Sequence, residues 1–186
     1  MTDLTEIPAP GGKIRGDIPF KPVRIALLTV SDTRVPETDT SGDLLAARIG
    51  DAGHELADRK IVADDKDTIA STVKAWIDAP EIDVVISTGG TGLTGRDVTP
   101  EAVAPLFEKE IDGFNTVWHM VSYQSVGLST LQSRACAGLA NATFIFCLPG
   151  SNGACKDGWD KIIRWQLDSR HGPCNMVELM PRLTEK

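Results

Sequence analysis

The segment V-R-I-A-L-L-T-V (Val23 to Val30) constrains the fold of this chain more than any other. It is short, mostly apolar and partly β-branched, the pattern of a strand buried on both faces. Such a strand needs cover on each side, which implies a parallel sheet inside an α/β domain. A weaker strand is predicted over Glu55 to Val62, a third over Ile82 to Ser87, and a clear one over Ala142 to Leu148. Helical spacing fills the gaps. Asp43 to Ala52 carries Leu44, Leu45, Ile49 and Ala52, and Gly53 supplies the stop. Asp67 to Ala79 places Ile69, Val73, Trp76 and Ile77 on one face, with Pro80 beyond it. Thr99-Pro100-Glu101 reads as a cap, a proline at the first helical position and a first-turn acid. It predicts a helix to about Glu110, against which Pro105 stands. Lys161 to Leu167 sets Ile162, Ile163 and Leu167 on one side, whereas Gln124 to Leu139 gives mixed signals. No internal repeat or low-complexity block is present.

The predicted architecture is one three-layer αβα domain over residues 21–186, with a mostly parallel sheet, helices on both faces and right-handed crossovers. Residues 1–20, with Pro8, Pro10, Gly11, Gly12, Gly16 and Pro19, read as a flexible arm. Wrapping of a neighbouring subunit is the functional alternative for it. The length of 186 residues suits a single domain. The apolar runs fall far short of the ~20 residues that span a bilayer. The first twenty residues carry Asp3, Glu6 and Asp17 and lack the basic start and apolar middle of a secretion signal, so a cytoplasmic location is expected. Cys136, Cys147, Cys155 and Cys174 include no C-x-x-C pair and read as reduced, structural residues. His54, His119 and His171 are too scattered to predict a metal site. A net charge of -7 argues against a general nucleic-acid surface, so a phosphate ligand would need local cations.

In open α/β sheets ligands sit beyond the carboxyl ends of the strands. Four polar or glycine-rich segments follow the predicted strands: Thr29-Val30-Ser31-Asp32, Ala63-Asp64-Asp65, Ser87 to Gly92, and Leu148-Pro149-Gly150-Ser151. All four should converge on one edge. Gly89, Gly90, Thr91 and Gly92 form a candidate phosphate nest, the plain alternative being a tight strand-to-helix turn. Gly90 to Gly95 matches G-x-G-x-x-G, but it follows the third strand and Arg96-Asp97-Val98 separate it from a helix, unlike a dinucleotide fingerprint. Asp97, beside a helix start, should stay ionised. A carboxylate next to a phosphate nest calls for a bridging cation, and Mg²⁺ favours one or two carboxylates plus substrate phosphates. Asp64 or Asp65 could supply the second carboxylate, with helix-start and loop chemistry as the plain alternative. Ser31, Ser87 and Ser151 have no histidine placed to activate them, which argues against covalent catalysis. Arg34, Arg96 and Arg134 are the candidate phosphate cations, or else solvated surface charges.

The run S-T-G-G-T-G-L-T-G-R-D-V-T-P-E (Ser87 to Glu101) resembles the signature of the molybdopterin adenylyltransferase family, MoaB/MogA-like. T-V-S-D, D-T-S-G (Asp39 to Gly42), S-T-L-Q-S-R-A-C-A-G (Ser129 to Gly138), L-P-G-S and the tail around Pro173-Cys174-Asn175 point to its MoaB-like branch. The resemblance covers the chain from Val23 onward. It implies Mg²⁺-dependent joining of molybdopterin to AMP from ATP, with release of pyrophosphate. It carries metal-binding and catalytic roles to Asp97 and to Asp64. The second motif reads V-A-D-D here where the family has P-D, which leaves Asp64 and Asp65 both open. Ser31, Gly89, Gly90, Thr91, Gly92, Ser133, Arg134, Pro149, Gly150 and Ser151 become contacts for nucleotide or pterin. Some MoaB-like members lose the acidic motifs and are inactive; this chain keeps R-D-V-T-P-E and an acidic pair, so an active enzyme is expected. The competing reading is a non-catalytic pterin-binding carrier. The resemblance also implies a homo-oligomer, either a trimer or a hexamer built as a dimer of trimers, and contact with the pathway's metal-insertion protein. Whether the cofactor metal is Mo or W is open.

Overall fold

The structure, a computed structural model, describes residues 11–185. Its elements are β1 (Lys13–Ile14), β2 (Arg24–Val30), α1 (Thr40–Asp51), β3 (Glu55–Val62), α2 (Lys66–Ile77), β4 (Val84–Thr88), α3 (Thr99–Val103), β5 (Lys109–Glu110), α4 (Asp112–Val126), β6 (Cys136–Ala140), β7 (Thr143–Leu148), α5 (Asn152–Gly158), α6 (Arg164–Gln166), β8 (His171–Gly172) and α7 (Met176–Leu179). Six strands form the main sheet in the order β3-β2-β4-β7-β6-β5. The first four are parallel, while along one edge β6 pairs antiparallel with β7 and β5 antiparallel with β6. No helix among the described residues is long and apolar enough to cross a membrane.

Strand alternation builds a core on each face. Ile25 and Leu27 of β2, Val84 and Ile86 of β4, and Phe144 and Phe146 of β7 pack against α1, α4 and the α5 to α6 helix. Ala26, Leu28, Val85, Ile145 and Cys147 face the other way, towards Ile69, Val73 and Trp76 of α2 and Ala102 of α3. This is the three-layer arrangement that a doubly buried β2 demands. The start and stop signals of α1 are local. The Asp39 carboxylate accepts the Gly42 N–H at 3.0 Å, and Gly53, at φ +84, lets the His54 N–H reach the Ile49 carbonyl.

Two expectations need correction. Thr99 lies inside α3 and does not cap it; its buried hydroxyl donates instead to the Gly89 carbonyl at 2.9 Å. Nor does α3 run to Glu110: it gives way to a 3₁₀ turn over Ala104–Leu106, and the chain is extended at Phe107 before β5. Pro105 provides the reason, since it has no N–H to continue an α-helical ladder. The helix predicted over Lys161 to Leu167 is the end of a longer one. α5 widens into a π-helical turn, Trp159–Ile163, before α6, and that turn buries Trp159, Ile162 and Ile163.

Residues 1–10 of the predicted arm lie outside the described residues. The remainder of the arm meets the C-terminal segment. Lys13 and Ile14 pair with Gly172 and His171, and a Cβ on Gly12, at φ +91, would lie 1.7 Å from the Gly172 carbonyl oxygen. The Ser169 hydroxyl accepts the Lys21 N–H at 2.9 Å and donates to the Pro19 carbonyl at 3.1 Å.

Candidate functional site

From β2 the chain crosses to β3 on one side, whereas β4 lies on the other side of β2. The connections therefore part at the carboxyl ends of β2 and β4, and a crevice opens there. The four strand-end segments do converge on it. A cavity of about 380 Å³ is lined by Ser31 and Arg34 after β2, Asp64 after β3, Gly89 to Gly92 and Asp97 after β4, and Pro149 and Gly150 after β7.

The floor of the crevice is fixed by a buried carboxylate. Asp39, fully buried, accepts the Thr29 hydroxyl at 2.7 Å and Arg59 Nη2 at 2.8 Å. Burial opposes its ionisation, but Arg59, Thr29 and the Gly42 N–H outweigh that and hold its pKa below the ordinary aspartate value. A Cβ at Gly42 would fall 2.1 Å from Asp39 Oδ2, so D-T-S-G encodes a capping acid with a neighbour small enough to reach.

Asp64 and Asp32 exchange bonds across the tips of β3 and β2. The Asp32 N–H donates to Asp64 Oδ2 at 3.0 Å, and the Asp64 N–H donates to Asp32 Oδ1 at 3.1 Å. Arg96 grips Asp32 with Nε at 2.9 Å and Nη2 at 2.8 Å. Among the described residues no cationic side chain pairs directly with Asp64; burial, and then the charges of Asp32 and Asp97, push its pKa up. Asp65 points elsewhere, as the N-cap of α2, where its carboxylate accepts the Thr68 N–H at 2.8 Å. Of the two acids left open by V-A-D-D, only Asp64 lines the cavity.

Asp97 faces Asp64 across the glycine loop. Its Oδ2 accepts the Thr94 N–H at 2.8 Å and the Thr94 hydroxyl at 2.7 Å. Burial again opposes ionisation, yet Thr94, the Gly92 N–H and Arg134 together lower its pKa. The loop has no room for side chains: at Gly90 a Cβ would lie 2.3 Å from Thr99 Oγ1 and 3.1 Å from Asp64 Oδ1, and at Gly92 2.7 Å from Asp97 Oδ2. Gly89 and Gly90 also adopt φ of +105 and +65, the region glycine enters without strain. The Gly89 N–H is committed to the Leu148 carbonyl at 3.0 Å and the Gly92 N–H faces Asp97. Among the described residues the N–H groups of Gly90 and Thr91 have no such partner.

The three candidate arginines have separate fates. Arg34 lines the cavity and donates to the Thr38 carbonyl and the Thr40 hydroxyl. Arg96 is mostly exposed on Asp32. Arg134 is a brace: its Nε donates to the Gly92 carbonyl at 2.7 Å, Nη2 to the Asp97 carbonyl at 2.7 Å, and Nη1 pairs with Glu101. Its own N–H holds the Thr91 carbonyl at 2.8 Å.

A second cavity, of about 280 Å³, adjoins the first and shares Thr91, Gly92 and Pro149 with it. Trp118, Ser133, Ser151 and Asp157 are among its walls. Ser133 accepts Trp118 Nε1 at 3.0 Å, and Ser151 caps α5 by accepting the Ala154 N–H at 3.2 Å. At the junction, Thr91 Oγ1 is buried without a hydrogen-bond partner among the described residues. Sequence reasoning overlooked Asp157 and Trp118, which the fold brings to this cavity, and the bracing role of Arg134. The helical spacing of Phe114, Trp118 and Val121 was the available signal for α4.

The oxygen-only donor set suits a hard cation such as Mg²⁺. Asp64 and Asp97 flank a cradle that a Cβ would fill, and among the described residues no cluster of three or more acidic, histidine or cysteine side chains could hold a metal. Two carboxylates could supply only part of the shell of such a cation.

Residues 26–169 match the family model described as a probable molybdopterin binding domain. The chain is 51% identical over 156 residues to molybdenum cofactor biosynthesis protein B of Escherichia coli K12, covering 84% of this chain and 92% of that protein. It is 44% identical over 148 residues to the protein of that name from Bacillus cereus, covering 79% and 88%. A crystal structure of molybdenum cofactor biosynthesis protein B superposes with a TM-score of 0.77 at 44% identity, covering 79% of this chain and 92% of that one. The tungsten cofactor synthesizing protein MoaB of Pyrococcus furiosus gives 0.67 at 37% identity, covering 74% and 88%. On sequence and fold, the chain belongs to the family whose model is described as a probable molybdopterin binding domain, together with the molybdenum cofactor biosynthesis B proteins.

Proposed function

We propose that the protein adenylylates molybdopterin: the terminal phosphate of molybdopterin attacks the α-phosphorus of ATP, and pyrophosphate leaves. The observation that carries this reading is the joining of two cavities at Thr91, where a buried hydroxyl has no partner among the described residues. One cavity has acids, Arg34 and free backbone N–H groups, and the other has hydroxyls around an indole. A nucleotide phosphate in the first and a pterin in the second would meet at that hydroxyl.

Phosphoryl-type transfer asks a protein mainly for positioning and charge neutralisation. The Gly90 and Thr91 N–H groups and Arg34 would bind phosphate oxygens. Asp64 and Asp97 would hold Mg²⁺, which when bound neutralises phosphate charge. Arg134 holds the Thr91, Gly92 and Asp97 carbonyls, so Asp97 reaches the cavity with its geometry set. Arg96 orients Asp32, and Asp32 orients Asp64. Ser133 and Ser151 border the pterin cavity while bonded to Trp118 and to α5.

Exposed apolar residues follow one side of α4 and the turn after it: Met120, Tyr123 and Val126, then Leu128 and Leu131, which are 71% and 72% exposed. A face of this kind marks a contact surface, and a homo-oligomer, trimeric or hexameric, would cover it. Light scattering on the intact protein and on a form lacking residues 1–20 measures that state. The adenylylated product would pass to the metal-insertion protein of the pathway.

Asp97→Asn tests the reaction. It should abolish pyrophosphate release while leaving folding and pterin binding largely intact; retained turnover would refute the metal role of Asp97.

A further inference from the structure

Two lysine–aspartate pairs of the same chemistry sit one helical turn apart in their respective helices, and they differ sharply in setting. Lys74 and Asp78, at 2.8 Å, are both open to solvent, their side chains 61% and 56% exposed. Lys161 and Asp157 are also 2.8 Å apart, and Lys161 is 44% exposed, but the Asp157 side chain is only 15% exposed, and Asp157 lines the second cavity. A solvated ion pair gains little from sinking its carboxylate into a pocket. A pocket gains a specific acceptor.

We infer that Asp157 selects the pterin over other heterocycles, by accepting the two adjacent N–H donors of a 2-amino-4-oxopyrimidine edge. This rests on the reading of the second cavity as the pterin site. A carboxylate offers two acceptor oxygens side by side and no donor. The N3–H and the 2-amino group of a pterin present two donors side by side. The corresponding edge of adenine presents one donor and one acceptor, which a carboxylate cannot match. Trp118 and Pro149 supply apolar walls, and Asp157 supplies the polar group that fixes orientation, the usual division of labour in a small-molecule site. Asp157 thereby determines which of two joined cavities takes which substrate, and it turns the pterin so that its side chain, with the phosphate, points towards Thr91. Lys161 keeps the carboxylate in place from the solvent side.

The test uses the intact protein and fluorescence titration with two probes: pterin itself, with the 2-amino group, and lumazine, with a 2-oxo group in its place. The wild type should prefer pterin by roughly 10- to 100-fold, as expected for two hydrogen bonds to a charged acceptor. Asp157→Asn presents one acceptor and one donor, so it should lose pterin affinity by a similar factor and gain lumazine affinity. Lys74→Met, at the solvent-exposed pair away from the cavity, should keep the wild-type preference, and thermal melts check that both variants fold. An Asp157→Asn protein that retains the wild-type preference, with pterin binding by the wild type intact, would overturn the role of Asp157 alone. Failure of the wild type to bind pterin would overturn the pterin cavity and this inference together.

Discussion

Asp39 and Asp64 stand at the same edge of the sheet and are treated in opposite ways. Asp39 is sealed, paired with Arg59 and hydrogen-bonded by Thr29 and Gly42, and its pKa is depressed. Asp64 is held in position by a backbone N–H, crowded by Asp32 and Asp97, and its pKa is raised. One carboxylate is satisfied and belongs to the architecture. The other has no directly paired cation among the described residues, the setting expected of the cation ligand we propose it to be.

The contrast predicts opposite mutants. Asp64→Asn should lower the rate of pyrophosphate release by at least about 100- to 1000-fold, as loss of a preorganised electrostatic group does. Its melting temperature at neutral pH should hold or rise, because a carboxylate whose folded pKa is raised is less comfortable ionised in the native state than in the unfolded chain. Asp39→Asn should do the reverse first, costing about 3 kcal/mol in a urea titration by leaving a buried network broken. For Asp39 the folded pKa lies below the unfolded one, so its stabilisation is complete above the ordinary carboxylate range. It is lost as pH falls through the lower, folded value, and the acid limb of stability should flatten in the variant.

Arg134 sharpens the comparison, since its donors hold the loop that carries Asp97. Arg134→Lys should reduce kcat by about 10-fold or more, because one ammonium cannot span three fixed acceptors. The smallest effect belongs to Asp65→Ala: about 1 kcal/mol of stability from the lost α2 cap, with pyrophosphate release near wild type. A large loss of activity there would reverse the assignment of the two adjacent acids.

Most of the fold was legible because its signals are local or periodic. The β2 run, the Gly53 stop and the Ile69 to Ile77 stripe each state their own structure. Thr99 misled because a capping sequence was overridden by a tertiary bond to Gly89, which closes the chain on itself around the glycine loop. The glycine loop, Asp64 and Asp97 were legible as types at strand ends, where α/β sheets place ligands. The bond exchange between Asp32 and Asp64, the brace from Arg134 and the pocket position of Asp157 join residues from separate strands and helices. No spacing along one segment announces them.

The decisive measurement is Mg²⁺-dependent pyrophosphate release from ATP by the purified protein, with and without freshly prepared molybdopterin. Release should require both Mg²⁺ and molybdopterin and disappear in Asp64→Asn and Asp97→Asn if the protein is an adenylyltransferase. Saturable pterin binding without any release, while an active family member releases pyrophosphate in the same assay, would contradict it and make the protein a pterin carrier.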